Sequence, residues 1–151
     1  MSYWILQSNP NKYRMIDYLK AYWNEPDTWS ISLYVNEIER EDIAFIWLSN
    51  EKGENNRGIY AMAKITGLPV LHRHFDWEDP YWIDKEEQRR LFAMPRLELR
   101  YIKSIIDKPL LRDDLKAANL GDLLILQMPR RAIYKLTEGY GRKIKRMVEL
   151  R

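Results

Sequence analysis

The sequence predicts an α+β fold, a curved and mostly antiparallel sheet or small barrel flanked by helices, and three observations carry that expectation. Short apolar runs of strand length recur along the chain without an internal repeat. Helix-spaced segments stand at the start, in the late middle and at the end. The regular strand–helix alternation of a doubly wound parallel sheet does not occur. The 151 residues fit one domain spanning 1–151, long enough to bury a core without disulfides.

YWILQS (3–8) reads as a strand, punctuated by Asn9-Pro10. Asn11 is placed to cap a helix in which Met15, Ile16, Leu19, Tyr22 and Trp23 follow helical spacing, and Asn24-Glu25-Pro26-Asp27 ends it. TWSI (28–31) has no clear period, and the run to Asp42 is polar and irregular. IAFIWL (43–48) is a strand of the fully buried kind. EKGENN (51–56) makes a loop, and GIYAMAKITG (58–67) is the returning strand. LPVLHRHF (68–75) predicts a third strand, with Pro69 at its start. DWEDPYW opens as an aromatic loop, with a short helical turn at 85–92.

RLELRYI (96–102) alternates cleanly, as a half-exposed antiparallel strand does. Pro109 is placed to open a helix that Gly121 ends. LLILQMP (123–129) fits helix and strand equally, and AIYKL (132–136) is a short strand. Thr137 caps a last helix with apolar positions Tyr140, Ile144, Met147 and Val148, whose first turn Gly139 and Gly141 weaken.

There is no cysteine, which excludes disulfides and thiolate metal sites and suits a reducing cytoplasm. The start reads directly as a strand rather than a signal peptide. No apolar run approaches the roughly 20 residues that span a bilayer. The expected setting is therefore cytoplasmic. Charge is uneven: residues 1–56 hold 5 Lys/Arg against 9 Asp/Glu, residues 57–151 hold 20 against 13, and those after Pro129 hold 8 against 2. Such a basic surface is either a solvated helix face or a phosphate footprint. Six Trp and ten Tyr exceed what one small core needs, and their flat faces with polar handles suit both a core and a planar ligand.

Catalytic constellations are weak. His72 and His74 share a strand face but lack a third ligand, so no metal is expected. Asp76/Glu78/Asp79, Glu86/Glu87 and Asp113/Asp114 fall in loop or helix-surface contexts, where carboxylates are ordinarily structural. No nucleophile elbow and no Gly-rich phosphate loop is present. Three places pair an aromatic with small polar groups: Trp4 upstream of Ser8-Asn9-Pro10, Thr28-Trp29-Ser30, and Trp47-Leu48-Ser49-Asn50. Stacking faces beside a few donors and acceptors are what a pocket for a heterocycle requires, and core packing uses the same residues.

At these residues the chain resembles the EVE domain family, of the PUA-like superfamily that also holds the YTH and ASCH domains. YWILQSNP is similar to its opening strand and turn, TWSI to the segment after its first helix, and DIAFIWLSNEKGENNRGIYAMAKI to its strand–loop–strand. LELRYIKSII with PLLRDDLK is similar to its late strand and helix, and AIYKLTEGYGRKIKRMVEL to its closing strand and helix. The resemblance covers nearly the whole chain. It implies a PUA-like pseudo-barrel of five or six mostly antiparallel strands with flanking helices. It also implies an aromatic pocket for a base, a modified one carrying an added group, flipped from DNA or RNA. Carried over, the base-binding pocket comprises Ser8, Asn9, Trp29, Ser30, Trp47 and Ser49. The family commonly has an acidic residue where Asn9 stands; an amide donates as well as accepts.

The main expectation is thus a non-catalytic, nucleic-acid-binding domain without cofactor. Trp29 and Trp47 stack on the base, Asn9, Ser30 and Ser49 meet its edge, and Arg57, Arg130 and Arg131 contact phosphate. In that reading Trp47 is an open stacking face, dispensable for folding. Two alternatives stand beside it. The aromatic loop 76–83 serves as a docking module for a protein partner, or the scaffold is an enzyme acting on modified nucleotides.

Overall fold

The computed structural model describes residues 1–49, 56–72 and 77–151. Its centre is a pair of strands that sequence reasoning did not pair, β1 (Tyr3–Ser8) and β3 (Ile43–Leu48), which run parallel with Tyr3 opposite Ile43 and Ser8 opposite Leu48. A parallel pair needs a long crossover. Residues 9–42 supply it, carrying α1 (Met15–Tyr22) and β2 (Pro26–Ser30). Neither central strand alternates, because both of its faces are covered. Tyr3, Ile5, Phe45 and Trp47 point into one apolar cluster, with Leu115, Ile125, Ile144 and Val148. Trp4, Leu6, Ala44, Ile46 and Leu48 point into a second, with Met15, Leu19, Leu97 and Leu99.

The other pairings are antiparallel. β4 (Gly58–Val70) returns beside β3, β5 (Arg96–Ser104) beside β4, and β7 (Ile133–Leu136) beside β1. The sheet has seven strands in the order β2-β5-β4-β3-β1-β7, with the two-residue β6 (Leu110–Leu111) paired to β4. The fold is the expected α+β class, with more strands than the five or six implied. Among the described residues no pairing joins β2 to β7, so the pseudo-barrel is open. β4 bends the sheet: its register with β5 shifts at Met62/Ala63, Ile65/Gly67 and Gly67/Val70, and each irregularity adds local twist.

Several element expectations need correction. Residues 68–70 do not start a third strand. β4 runs on through Pro69, which the register shift between Gly67 and Val70 accommodates. Residues 73–75 of that expected strand, His74 among them, lie outside the described residues, as do Asn50, most of the 51–56 loop and Asp76. TWSI belongs to β2, an edge strand paired to β5. Pro109 does not open a helix: Leu110 and Leu111 pair with Ile59 and Gly58 first, and α3 (Arg112–Ala117) begins after them. Gly58 is required there, since a Cβ would lie 2.1 Å from the Leu110 carbonyl oxygen. Asn11 does not cap α1. The N-cap position is Arg14, and the Asn9 side chain accepts instead from the Asn11 N–H at 2.9 Å. The ambiguous LLILQMP forms α4 (Leu124–Gln127).

The helices at 85–92 and after Thr137 form as expected: α2 (Lys85–Phe92), capped by Asp84, and α5 (Glu138–Glu149), capped by Thr137. Gly141 has a use the sequence hides. It lies where a Cβ would sit 2.1 Å from the Tyr3 ring, so α5 packs directly on β1.

Trp4 is fully buried, and its indole N–H donates to the Asp42 carboxylate at 2.9 Å. Asp42 is itself buried and also accepts from the Ser2 and Glu39 backbone N–H groups. This Trp is a core residue with a satisfied handle. No helix of the described residues is long and apolar enough to cross a membrane.

Candidate functional site

The curl of the sheet leaves a cavity of about 730 Å³ between its two edges. One wall is the edge strand β2, with Pro26, Asp27, Thr28, Trp29 and Ser30. The segment entering the other edge strand, from Pro129 to Ala132, borders the same cavity. The C-terminal ends of β1 and β3 bring Gln7, Ser8, Asn9, Trp47 and Ser49, and the start of β4 brings Arg57. All nine residues singled out from the sequence therefore border one cavity: Ser8, Asn9, Trp29, Ser30, Trp47, Ser49, Arg57, Arg130 and Arg131.

They are not equivalent. Trp29 is half-buried and packs on the cluster beneath β5. Trp47 is 2% exposed and lies in the opposite cluster with Phe45 and Ile59. The expected open stacking face is thus a core side chain that touches the cavity with a sliver of its surface, because a central strand covered on both sides leaves no exposed face. The hydroxyls differ too. Ser8 is buried, and its carbonyl accepts from Ser49 N–H at 3.0 Å and from Ser49 Oγ at 3.4 Å. Ser30 pairs with Arg96 at the margin of the sheet.

The arginine end is built by contacts that sequence reasoning missed. Gln7 donates through its side-chain amide to the carbonyls of Pro129 at 3.0 Å and Arg131 at 2.6 Å, and its backbone N–H bonds Ala132. The Tyr134 hydroxyl donates to Met128 O at 2.6 Å and accepts from Arg131 N–H at 3.0 Å. The irregular backbone from 128 to 132 is thereby fixed, holding Arg130 and Arg131 at the cavity margin. Arg112, at the start of α3, joins them through its N–H bond to the Arg57 carbonyl.

The opposite end is acidic and aromatic, and it too was missed. Residues 77–84 do not project. Arg14 N–H bonds Tyr81 O, Ile83 N–H bonds Lys12 O, and the Tyr13 and Trp82 rings meet at 4.9 Å. This segment and α2 supply Asp79, Trp82, Glu87, Arg90 and Phe92 to the cavity wall.

Asp27 is held from both sides, accepting from the Tyr101 hydroxyl at 2.5 Å and from Thr28 N–H at 2.8 Å. Burial pushes its carboxyl up to about 6, against the lowering effect of those two hydrogen bonds, and nearby Asp79 pushes the same way. Burial, and then the Asp27 charge, likewise push up the Tyr13, Tyr18 and Tyr101 hydroxyls. Arg96 donates to Thr28 Oγ1, lies 4.3 Å from the Phe92 ring centroid, and is lowered by burial. Glu87 receives Arg90, which holds its carboxyl below the usual range, and pairs with Lys12 at 3.6 Å.

Seven cationic side chains and four carboxylates border the cavity, leaving a net positive wall suited to an anionic chain with a neutral polar moiety inside. Among the described residues no three His, Cys, Asp or Glu side chains are grouped as metal ligands.

The sequence model of the EVE domain matches residues 2–147. A search of curated proteins found no match. Among solved structures, the chain is similar to a hypothetical protein from Leishmania major, at 18% identity and a TM-score of 0.66, over 99% of this chain and 96% of that one. It is similar to the human THYN1 protein in complex with DNA containing 5-methylcytosine, at 17% identity and a TM-score of 0.64, over 99% and 97%. The YTH domain of the Zygosaccharomyces rouxii MRB1 protein, in complex with N6-methyladenosine RNA, matches at 11% identity and a TM-score of 0.55, over 97% and 86%. At these identities the likeness is one of fold.

Proposed function

This chain belongs to the EVE domain family, and from that premise we propose that it binds nucleic acid by taking a modified base, turned out of its strand, into the cavity between the sheet edges. The observation that carries the reading is the cavity itself, bordered at once by Trp29, by the small polar groups of Ser8, Asn9, Ser30 and Ser49, and by Arg57, Arg130 and Arg131. The relatives of like fold bound to DNA with 5-methylcytosine and to RNA with N6-methyladenosine lend it support.

Trp29 stacks on the base, with Trp47 as part of the supporting wall. The serines and Asn9 meet the base edge. Arg57, Arg130 and Arg131 meet phosphates, giving a salt-dependent, sequence-blind share of affinity. The domain acts by binding rather than by turnover, and the role needs no cofactor. The segment 77–84 serves as a wall of this cavity.

Titration of tryptophan fluorescence with matched modified and unmodified DNA and RNA strands tests the reading. A modified strand should quench the signal and bind more tightly. Trp29→Ala should weaken that binding by about 1–3 kcal/mol, the worth of one base–aromatic stack. Equal affinity of wild type and Trp29→Ala for every strand overturns the pocket assignment.

A further inference from the structure

Asp27 is a costly residue for a cavity wall. It lies on β2 two residues before Trp29, so strand alternation puts both on one face, roughly 6.8 Å apart along the chain. That is about the reach from a stacked ring to a group recognising its edge. Both carboxylate oxygens are fixed, one by the Tyr101 hydroxyl and one by Thr28 N–H, and both of those donors are uncharged. Each oxygen keeps a further lone pair, and the residue borders the cavity. Arg96 also lies close enough for its charge to act on the carboxylate, and a carboxylate oriented by two neutral donors keeps acceptor capacity for a ligand.

We infer that Asp27 reads the base that enters the cavity, accepting a hydrogen bond from an exocyclic amino group, so that the site takes amine-bearing bases and rejects those with a carbonyl in that place. This rests on the base-binding reading above and adds the chemical class of the base. An ionised carboxylate offers acceptors alone, so it pairs with the N–H of a cytosine- or adenine-type base. Against the carbonyl of a thymine- or hypoxanthine-type base it sets lone pair against lone pair.

The groups facing Asp27 are Tyr101 and Arg96 from β5, Asp79 from the 77–84 segment, Tyr13 from just before α1 and Tyr18 from its middle. The tyrosines, pushed upward by burial, stay protonated and neutral. Asp79 adds a negative charge that raises the Asp27 carboxyl further. Protonation of Asp27 near pH 6 turns an acceptor into a donor and removes the basis of discrimination.

The test uses strands that exchange an exocyclic amine for a carbonyl at constant size, the adjacent ring nitrogen gaining a proton: 5-methylcytosine against thymine, and adenine against hypoxanthine, in DNA and in RNA, with the wild type and Asp27→Asn. At about pH 7.5 the wild type should prefer the amine member of the pair it binds by about tenfold or more. That preference should fall to within about threefold at about pH 5. Asp27→Asn, whose amide both donates and accepts, should lose or reverse the preference at either pH. A purely structural Asp27 would lower the affinities of both members together and leave their ratio unchanged. Tight, salt-dependent binding of modified strands without amine preference in the wild type overturns this inference and leaves the base-binding reading standing. Failure of every strand to bind overturns both. The wild-type ratio and its pH dependence need no variant, so poor folding of Asp27→Asn cannot shield the inference.

Discussion

Trp29 and Trp47 border the same cavity and are the same residue type, yet they stand in opposite situations. Trp47 sits on β3, a central strand with helices over one face and the α1 layer over the other, and 2% of it is exposed. Trp29 sits on β2, the edge of the sheet, and stays half-buried. A central strand consumes a large side chain as core, whereas an edge strand can leave part of a ring open to a ligand. The difference separates a core place from a half-open place on the cavity wall at two positions that look alike in sequence.

The largest expected effect breaks the comparison on the core side. Trp47→Ala should cost about 3–5 kcal/mol of folding stability, as large-to-small changes in a packed core do. Urea denaturation measures it, and a loss below about 1 kcal/mol would show that Trp47 is not core. Trp29→Ala should separate the two quantities, losing less stability in the same denaturation series than Trp47→Ala while binding weakens by about 1–3 kcal/mol.

Asp27 sharpens the edge side, and the sign of its effect is unusual for a carboxylate. Its folded value lies above its unfolded one, so the folded state binds the proton more tightly. Stability is then lost as pH rises from about 4 to about 6, and the full cost is present above that. Asp27→Asn should therefore be more stable than wild type at neutral pH, by up to about 3 kcal/mol, with the advantage vanishing near pH 4. Thermal melts across that range decide it, and a destabilised variant at neutral pH would mean that the hydrogen bonds to Tyr101 and Thr28 outweigh the desolvation. The smallest effect belongs to the opposite margin. Arg130→Ala with Arg131→Ala should leave the melting temperature alone and lower the slope of log affinity against log salt by about 1–2, equally for modified and unmodified strands.

Many of the residues that border this cavity were legible in the sequence, and the illegible part has a common cause. Trp29-Ser30, Trp47 with Ser49, Ser8-Asn9 and Arg130-Arg131 are local pairings of residue types, visible one window at a time, and the family resemblance put them in one list. Asp27 was passed over as part of a helix-ending turn, and Asp79 as a loop carboxylate, because neither has a local signal. Their importance comes from Tyr101, 74 residues on from Asp27, and from the packing of residues 77–84 against the segment before α1. Gln7 was equally silent, as its work is to hold a backbone segment 122 to 124 residues away.

Alone, the sequence determined the elements whose signals are local: the alternating β5, the buried pattern of β3, the Thr137 cap of α5, and the class of fold. The tertiary structure decided the rest. Parallel pairing of β1 with β3 turned two apolar runs into a two-faced core and claimed Trp47 for it. The bends of β4 curl the sheet, and β2 and the 129–132 segment border one cavity. Hydrogen-bond register and curvature are sums over contacts distant in the chain, and no window of neighbouring residues contains them.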